Sequence, residues 1–506
     1  MSSVSSRPRW LRRLLLSLVA LVVLVPATVG GCVTWVYTGA ALSTVGTDFR
    51  NELAIPPLAE GSLGPDGTRV FDLEMQSGRK EFRPGQPTET WGFNGDYLGP
   101  TLRARRGERV EVRVRNRLPE ASTVHWHGMH LPAAMDGGPH QMVDAGADWA
   151  PHWTVDQPAA TLWYHPHPHG KTEQHVRRGL AGMFLLDDDI ADSLALPSTY
   201  GVDDLPVIVQ DVKFDGSRLD NSHKIFRNAG FLGEQILVNG TLTPYREVGD
   251  ELVRLRLLNA STARIYNFGL DDNRSFALIG TDGGLVERPS MLDRLQLSPG
   301  ERAEIVVRMR PGERTVLRGN PLDAGLDFWQ QRFSGGDDRF DILELRAAAA
   351  LRPSPELPAA LVAPELPDGA DSVRERPFDL SMGGINNVPM AMDRIDLTLT
   401  RGETETWVLR NVDGVPHNFH IHDVRFRVVS VNDAPPPPPL AGAKDTVFVG
   451  PNSTVRVAVR FDGPADPDTP YMYHCHLLWH EDQGMMGQFV IVEPGQSAGT
   501  APKHEH

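Results

Sequence analysis

Half of the histidines of this chain lie in short motifs whose spacing suits metal binding. Of the 18 His, nine fall in His125-Trp126-His127, His165-Pro166-His167, His417-Asn418-Phe419-His420-Ile421-His422 and His474-Cys475-His476. Residues i and i+2 of a strand point to the same face, so each His-x-His pair offers two imidazoles to one site. A single pair of this kind is more often a surface pair, but four motifs in one chain indicate bound metal.

One motif also supplies sulfur ligands. It continues with the spacing Cys-x4-His-x4-Met, and with one earlier histidine its candidate ligands are His417, Cys475, His480 and Met485. Two imidazoles, a thiolate and a thioether form the ligand set of a blue-copper electron-transfer site, in which Met is the long axial ligand. Met486 is a second candidate for the axial position, but the four-residue gap after His480 favours Met485.

Eight further imidazoles remain once that site is assigned: His125, His127, His165, His167, His420, His422, His474 and His476. In the last motif, strand alternation turns Cys475 to the face opposite its two neighbours, so one strand serves two sites. A four-coordinate zinc site would not need eight imidazoles and could not use the redox-tuned cysteine and methionine. The pattern therefore predicts several copper ions.

The elements that position these residues are predicted to be strands in three repeated domains. A glycine followed by an acid, an alternating run and a terminal Asn recur at 107–116, 249–259 and 402–411. This spacing fits Greek-key β-sandwiches, and amphipathic helices are scarce. We predict an all-β chain with β-sandwich domains at 41–190, 191–350 and 378–494. A linker is predicted at 351–377 and a polar tail at 495–506.

Residues 1–40 are predicted to be a signal or an anchor. Four arginines, Arg7, Arg9, Arg12 and Arg13, precede an apolar run. Up to about residue 25 the run has the length of a cleaved signal peptide, whereas residues 14–37 together could tether the chain by spanning a bilayer. Cys32 ends a stretch that resembles a bacterial lipobox, and is either a lipid-attachment site or a residue buried in the apolar segment. Each alternative puts the body of the protein outside the cytoplasm, in the periplasm or at the cell surface of a bacterium.

Composition excludes several other classes of protein. The chain has 506 residues, of which 40% are hydrophobic and 23% charged, as in soluble globular proteins. Its net charge of −15 argues against a nucleic-acid partner, because phosphates would be repelled. We expect a monomer.

The histidine motifs resemble those of the multicopper oxidases, the laccase-like family of three cupredoxin domains. Residues 165–171 and 474–486 are most similar to the copper-efflux oxidases and laccases of bacteria. The resemblance implies four copper ions per chain. The type 1 ion would bind His417, Cys475, His480 and Met485, and the type 2 ion would bind His125 and His420. The type 3 pair would bind His127, His165, His167, His422, His474 and His476. This trinuclear cluster would lie between the first and third domains.

The resemblance also implies a reaction. One-electron oxidation of phenols, aromatic amines or low-valent metal ions at the type 1 site would be coupled to four-electron reduction of O2 to water at the cluster. Asp136 and Glu481 match the positions of proton-relay acids; their alternative role is that of loop carboxylates that cap turns. Asp413 matches an acid near the type 1 edge.

Four other functions fit the sequence less well than this one. A cuprous oxidase active in copper tolerance would use soft thioether ligands, yet Val415 stands where the family pattern has Met, and Met382, Met390 and Met392 are the nearest approach to a cluster. We therefore expect small phenolic or diamine reductants. A non-enzymatic scaffold of the same fold would have lost ligands. A copper carrier would need only the type 1 site, and copper nitrite reductase has two domains and lacks the fourfold His-x-His set.

Overall fold

Three β-sandwich domains follow one N-terminal helix, α1 (Arg9–Ala40). The computed structural model describes residues 9–223, 229–323 and 325–500, so residues 501–506 of the predicted tail lie outside the described residues. Within those ranges, the helices that follow α1 have six residues or fewer. The predicted all-β fold with three sandwich domains is confirmed.

The first domain contains two sheets that share one buried core. The first strand of the chain, β1 (Asn51–Glu52), joins a sheet of the second domain. The elements of the first domain are β2 (Leu58–Ala59), β3 (Ser62–Leu63), β4 (Arg69–Arg83), β5 (Gln86–Phe93), β6 (Thr101–Arg105), β7 (Arg109–Asn116), β8 (His125–His127), a 3-10 turn (Ala133–Met135), β9 (Asp148–Trp149), β10 (His152–Thr154), β11 (Ala160–His165), α2 (Thr172–Arg177) and β12 (Gly182–Asp187). One sheet has the order β10-β7-β4-β3, with β5 beside β4 and β9 beside β7, and the other has the order β2-β6-β12-β11-β8.

The second domain is built in the same way. Its elements are α3 (Asp189–Asp192), β13 (Asp204–Val212), β14 (Phe214–Asp215), β15 (Arg218–Leu219), β16 (Gln235–Val238), β17 (Thr241–Leu242), β18 (Pro244–Asp250), β19 (Leu252–Asn259), β20 (Tyr266–Leu270), β21 (Phe276–Thr281), β22 (Gly284–Leu292), β23 (Leu295–Leu297), β24 (Arg302–Arg308), β25 (Arg314–Asn320), α4 (Phe328–Phe333) and β26 (Phe340–Arg352). The sheets have the orders β17-β16-β13-β19-β24-β21-β22 and β1-β18-β26-β25-β20-β23.

The third domain carries the last two histidine motifs. Its elements are β27 (Arg374–Ser381), β28 (Gly384–Ile385), β29 (Leu397–Thr400), β30 (Thr404–Asn411), β31 (His417–Ile421), β32 (Phe426–Val431), a 3-10 turn (Pro438–Leu440), β33 (Ala443–Lys444), β34 (Thr446–Val449), β35 (Thr454–Arg460), β36 (Asp466–His474), α5 (Leu478–Asp482) and β37 (Met486–Val492). The sheets have the orders β28-β27-β30-β35-β32-β33 and β29-β37-β36-β31-β34. β27 begins at Arg374, inside the segment assigned to the linker 351–377.

The repeated sequence pattern has a structural cause in its terminal asparagines. β7, β19 and β30 occupy equivalent positions, because each pairs in parallel with the first long strand of its domain. The strands end at Asn116, Asn259 and Asn411. Each of these side chains is buried and donates two hydrogen bonds to backbone carbonyls, one in the following turn and one on a more distant segment. An amide with two donors can satisfy both carbonyls where the strand leaves the sheet.

Candidate metal centre between the first and third domains

Paired strands bring the histidine motifs together. His165 at the end of β11 lies opposite His125 of β8, and His420 of β31 lies opposite His474 at the end of β36. All eight imidazoles of the predicted cluster are at most 1% exposed. They come from the first domain (His125, His127, His165 and His167) and the third domain (His420, His422, His474 and His476). The structure therefore gathers the predicted cluster residues in one buried space between these two domains.

Three imidazoles converge through their Nε2 atoms. His474 Nε2 lies 3.1 Å from His167 Nε2 and 3.2 Å from His422 Nε2. The Nδ1 atoms of two of these rings face hydrogen-bond acceptors. His422 Nδ1 lies 2.6 Å from Asp136 Oδ2, and His474 Nδ1 lies 3.2 Å from the carbonyl oxygen of Cys475. If each Nδ1 carries the proton of the neutral ring, each Nε2 has a free lone pair. Three facing lone pairs fit a bound cation.

Three of the other five imidazoles are also held through Nδ1. His125 and His420 face backbone carbonyls through Nδ1, at 3.0 and 2.9 Å, and their buried Nε2 atoms have no hydrogen-bond partner. His165 also faces a carbonyl through Nδ1, and its Nε2 lies 3.4 Å from His127 Nδ1. Both ring nitrogens of His476 are buried without a partner. Orphaned buried nitrogens of this kind are what metal ligation would satisfy.

Both predicted proton-relay acids border the cluster. Asp136 follows the turn after β8, and its carboxylate lies 2.6 Å from His422 Nδ1 and 3.2 Å from His125 Nδ1. Glu481 lies in α5, with one carboxylate oxygen 3.4 Å from His167 Nδ1 and the other 3.1 Å from His474 Nδ1. Both acids are 1% exposed. Each therefore contacts two ligand candidates through the ring nitrogen that faces away from the metal position.

Sequence reasoning missed a third carboxylate, Asp445. Its Oδ1 lies 3.1 Å from His127 Nε2, so the His127 lone pair is on Nδ1, the nitrogen that faces His165. Arg302 of the second domain forms two hydrogen bonds with Asp445, at 2.7 and 2.6 Å, and also donates to the carbonyl oxygen of Thr161 in the first domain. All three domains meet at this buried pair. The sequence signal that could have identified Asp445 is its position, since it is a charged residue directly before the apolar strand β34.

Gly128, which follows the first motif, is required by its surroundings. Its φ of +85° lies in the left-handed region. A Cβ atom there would lie 2.6 Å from both the Arg302 guanidinium and the Asp445 carboxylate. Only glycine leaves space for this ion pair and adopts that backbone conformation without strain.

The cysteine site lies on the side of the last motif, His474-Cys475-His476, opposite the histidine cluster. Cys475 Sγ lies 3.5 Å from His480 Nδ1 and 3.8 Å from His417 Nδ1, and these two nitrogens are 3.1 Å apart. β36 ends at His474, so Cys475 follows the strand rather than lying within it. The backbone N–H of Cys475 still donates to the carbonyl oxygen of Met485, and both residues belong to the core of the third domain.

The register separates the two axial candidates. Met486 pairs with His474 across β36 and β37, and therefore shares the face of the histidine cluster. The backbone carbonyl oxygen of Met485 instead accepts a hydrogen bond from the N–H of Cys475, the residue after His474. The register therefore favours Met485 as the axial residue on the cysteine side.

The acid at the edge of the cysteine site has a methionine beside it. Asp413 Oδ1 lies 3.2 Å from His417 Nε2, and its Oδ2 accepts a hydrogen bond from the backbone N–H of Met382 at 2.9 Å. Met390 lies near the axial position, where its N–H donates to the carbonyl oxygen of Gly484. Methionines that are distant in sequence therefore approach this edge in space.

Burial sets the protonation of the centre. Burial raises the pKa of the Cys475 thiol to about 12 and lowers the pKa of His167 to about 3. Burial and the neighbouring imidazoles also lower the pKa of His420 and His422 well below the usual value. These three imidazoles are therefore neutral and able to ligate, whereas the thiol needs a bound metal to deprotonate it at neutral pH.

These features define a cupredoxin-type β protein with two candidate metal-binding regions, one that contains a cysteine and one built from imidazoles. Residues 74–190, 214–315 and 362–495 match three family models, each described as multicopper oxidase. The multicopper oxidase mco of Staphylococcus haemolyticus is 34% identical to this chain over 449 residues, covering 88% of this chain and 93% of the relative. The chain belongs to the multicopper oxidase family. It is an oxidoreductase that uses copper, O2 and a reducing substrate.

Two other similar proteins differ in their described roles. The cell division protein FtsP of Xenorhabdus nematophila is 37% identical over 449 residues, which cover 88% of this chain and 93% of the relative. The solved structure of CueO from Ochrobactrum sp., described as a bacterial laccase-like multi-copper oxidase, is 36% identical. It superposes with a TM-score of 0.79 and covers 87% of this chain and 100% of that one.

Proposed function

We propose that the chain is a four-copper oxidase that passes single electrons from a small reductant to O2. The type 1 ion would be bound by His417, Cys475, His480 and Met485, and the type 2 ion by His125 and His420. The type 3 pair would be bound by His127, His165, His167, His422, His474 and His476. The observation that carries this proposal is the convergence of the Nε2 lone pairs of His167, His422 and His474, because a cation removes their mutual repulsion.

Copper bound at these positions would supply one-electron redox chemistry and the site of O2 reduction. Cys475 links the two regions covalently, since its neighbours His474 and His476 both belong to the imidazole cluster. Asn418 holds this link in position by accepting a hydrogen bond from the His476 backbone N–H at 2.6 Å. Its own amide donates to the Pro299 carbonyl oxygen of the second domain. The path from thiol to cluster is therefore short and rigidly held.

Asp136 and Glu481 have two proposed tasks. By facing the Nδ1 atoms of the ligand candidates, they fix the tautomer and the orientation of each ring. Because each carboxylate borders the cluster, it would also relay the protons that O2 reduction consumes. A role limited to turn capping would not require a carboxylate in contact with two imidazoles.

We propose phenols, aromatic amines or diamines as the reductants, taken up at the Asp413 edge of the cysteine site. Cuprous oxidation is a second candidate, which the backbone contact between Met382 and Asp413 favours. A protein from Campylobacter jejuni whose solved structure is described as a metallo-oxidase is 26% identical to this chain, with a TM-score of 0.75. The likeness to FtsP raises a role in cell division as well, but the filled ligand positions support the oxidase.

We propose that α1 is retained as an anchor that holds the enzyme at the outer face of the membrane. Residues Leu16–Ala40 are long and apolar enough to cross a bilayer and are not buried against the protein. Cys32 is exposed on α1 rather than buried within the protein. The enzyme is proposed to act as a monomer, because one chain supplies every proposed ligand.

The test is oxygen consumption by the copper-loaded protein with phenols, bilirubin, Cu(I), Fe(II) and Mn(II). Blue protein that contains four copper ions and consumes O2 with at least one of these reductants is the expected result. A colourless protein with about one zinc ion per chain would contradict the proposal.

A further inference from the structure

A short helix of the second domain exposes large aromatic side chains. α4 begins after Asp327, whose carboxylate accepts hydrogen bonds from the backbone N–H groups of Trp329 and Gln330 at 2.8 and 2.9 Å. Phe328 is 64% exposed and Trp329 is 53% exposed. Adjacent exposed aromatic residues on an ordered helix are unusual unless something covers them.

The same aromatic residues contact the end of α1. The Tyr37 ring stacks on Phe328 at 4.9 Å between centroids and meets Trp329 edge-on at 5.9 Å. Arg332 donates to the carbonyl oxygens of Tyr37 and Thr38 at 2.7 and 3.0 Å. The C-terminal end of α1 therefore packs on the second domain through specific contacts, and it lies next to the exposed face of α4.

The length of α1 indicates that a lipid bilayer covers the exposed aromatic residues of α4. Trp35, one helical turn from Thr38, is 77% exposed, and with Tyr37, Phe328 and Trp329 it forms what we name the aromatic patch. From Arg13 to Trp35 a helix rises about 33 Å at ~1.5 Å per residue, which matches the ~30 Å thickness of a hydrocarbon core. Basic residues would then mark one interface and the aromatic patch the other, where Trp and Tyr are enriched.

We propose that the aromatic patch lies in the headgroup region of the membrane and is a second contact, beside α1, between the enzyme and lipid. The proposal rests on the proposed anchor. α4 also borders the reductant edge: a Cβ atom on Gly414, next to Asp413, would lie 3.0 Å from Gln330 Nε2. The membrane contact therefore holds that edge close to the lipid surface.

The test uses the full, copper-loaded chain reconstituted into phosphatidylcholine vesicles, with or without lipid brominated close to the carbonyl groups. The difference between the emission of the wild type and that of Trp329→Phe isolates the Trp329 signal, and brominated lipid is expected to quench most of it. Trp149→Phe is the matched control, because Trp149 is half-buried in the first domain, and its difference signal should be unaffected. The blue absorption should be the same in all three proteins.

The outcomes separate the two proposals. If the wild-type chain remains in the vesicles after an alkaline carbonate wash but its Trp329 signal is not quenched, the patch proposal is wrong and the anchor stands. If the wash releases the wild-type chain, the anchor is wrong and the patch proposal is overturned with it. Neither outcome affects the oxidase proposal, which is read from oxygen consumption by the same samples.

Discussion

Asp136 and His422 belong to the first and third domains and are joined by a contact of 2.6 Å between Oδ2 and Nδ1. The other oxygen of the same carboxylate lies 3.2 Å from His125 Nδ1. One buried acid therefore orients imidazoles from two domains and lies next to the space in which O2 would react. Glu481 has the corresponding relationship with His167 and His474.

Asp136→Asn and Glu481→Gln should keep the blue band but slow reoxidation by O2, by about 10²- to 10⁴-fold if these acids deliver protons. The deficit should deepen as pH rises, because fewer alternative donors remain protonated. Stopped-flow reoxidation of the reduced enzyme measures this rate. Asp144→Asn, at an exposed carboxylate of the same domain, is the control, and unchanged reoxidation in both active-site variants would leave only an orienting role.

Cys475→Ser should abolish the blue band and the oxidase activity while copper stays in the imidazole cluster, because only the cysteine site loses a ligand. Absorbance and copper analysis report the two effects separately. Cys32→Ser is the matched control, since Cys32 lies on α1, outside the predicted cysteine site, and should remain blue. Blue colour in Cys475→Ser would refute the assignment of the thiolate.

Asp445→Asn should weaken copper binding by the imidazole cluster about 10- to 100-fold, because the carboxylate that orients His127 and pairs with the buried Arg302 is lost. The blue band should persist. Copper titration against a competing chelator measures the change. Asp462→Asn removes a surface carboxylate paired with Arg460 and should have no effect, whereas equal losses in both variants would point to general unfolding.

Phenol or diamine oxidation should proceed without added Cu(II), and Met382→Leu should leave that rate unchanged. If cuprous ions are also oxidised, the same variant should slow that reaction selectively, because it removes a soft thioether from the residue whose backbone contacts Asp413. Initial rates with each reductant provide the comparison. Met291→Leu, at an exposed methionine of the second domain, is the control. Phenol oxidation that depends on excess Cu(II) would instead indicate a relay of substrate copper.

Glu304→Gln should lower the free energy of unfolding by about 3–5 kcal/mol, because Arg254 and Arg256 would keep their charges in a buried space. Burial opposes ionisation of Glu304, but the two arginines outweigh it and lower the pKa to about 2, from 4.5. This stabilisation is present above pH 4.5 and is lost as pH falls through about 2.

Urea unfolding of the wild type and Glu304→Gln at several pH values measures that difference. Glu356→Gln is the control, because Glu356 pairs with Arg308 at the surface and should change the free energy by about 0–1 kcal/mol. A difference between wild type and Glu304→Gln that did not shrink below pH 4.5 would contradict the assigned ionisation.

Local patterns predicted the parts of the centre that local sequence determines. Alternation along a strand places His125 and His127 together, and the repeated Asn ends recur because each closes the same turn. Contacts between distant segments could not be read in this way. Asp445 faces His127 only after the third domain docks on the first, and Met382 reaches Asp413 only because β27 and β30 pair in parallel. Such pairings depend on register and packing, which composition and spacing do not encode.

The division of the cluster between two domains also bears on the order in which the enzyme matures. The first domain supplies four of the eight imidazoles, and the other four come from the part of the chain that is synthesised last. A polypeptide that lacks the third domain therefore has half of the proposed cluster and would not hold metal ions in the mature geometry. Under the proposed ligand assignment, metal loading would follow domain docking, and a full complement of ions would show that the whole chain has been made and assembled.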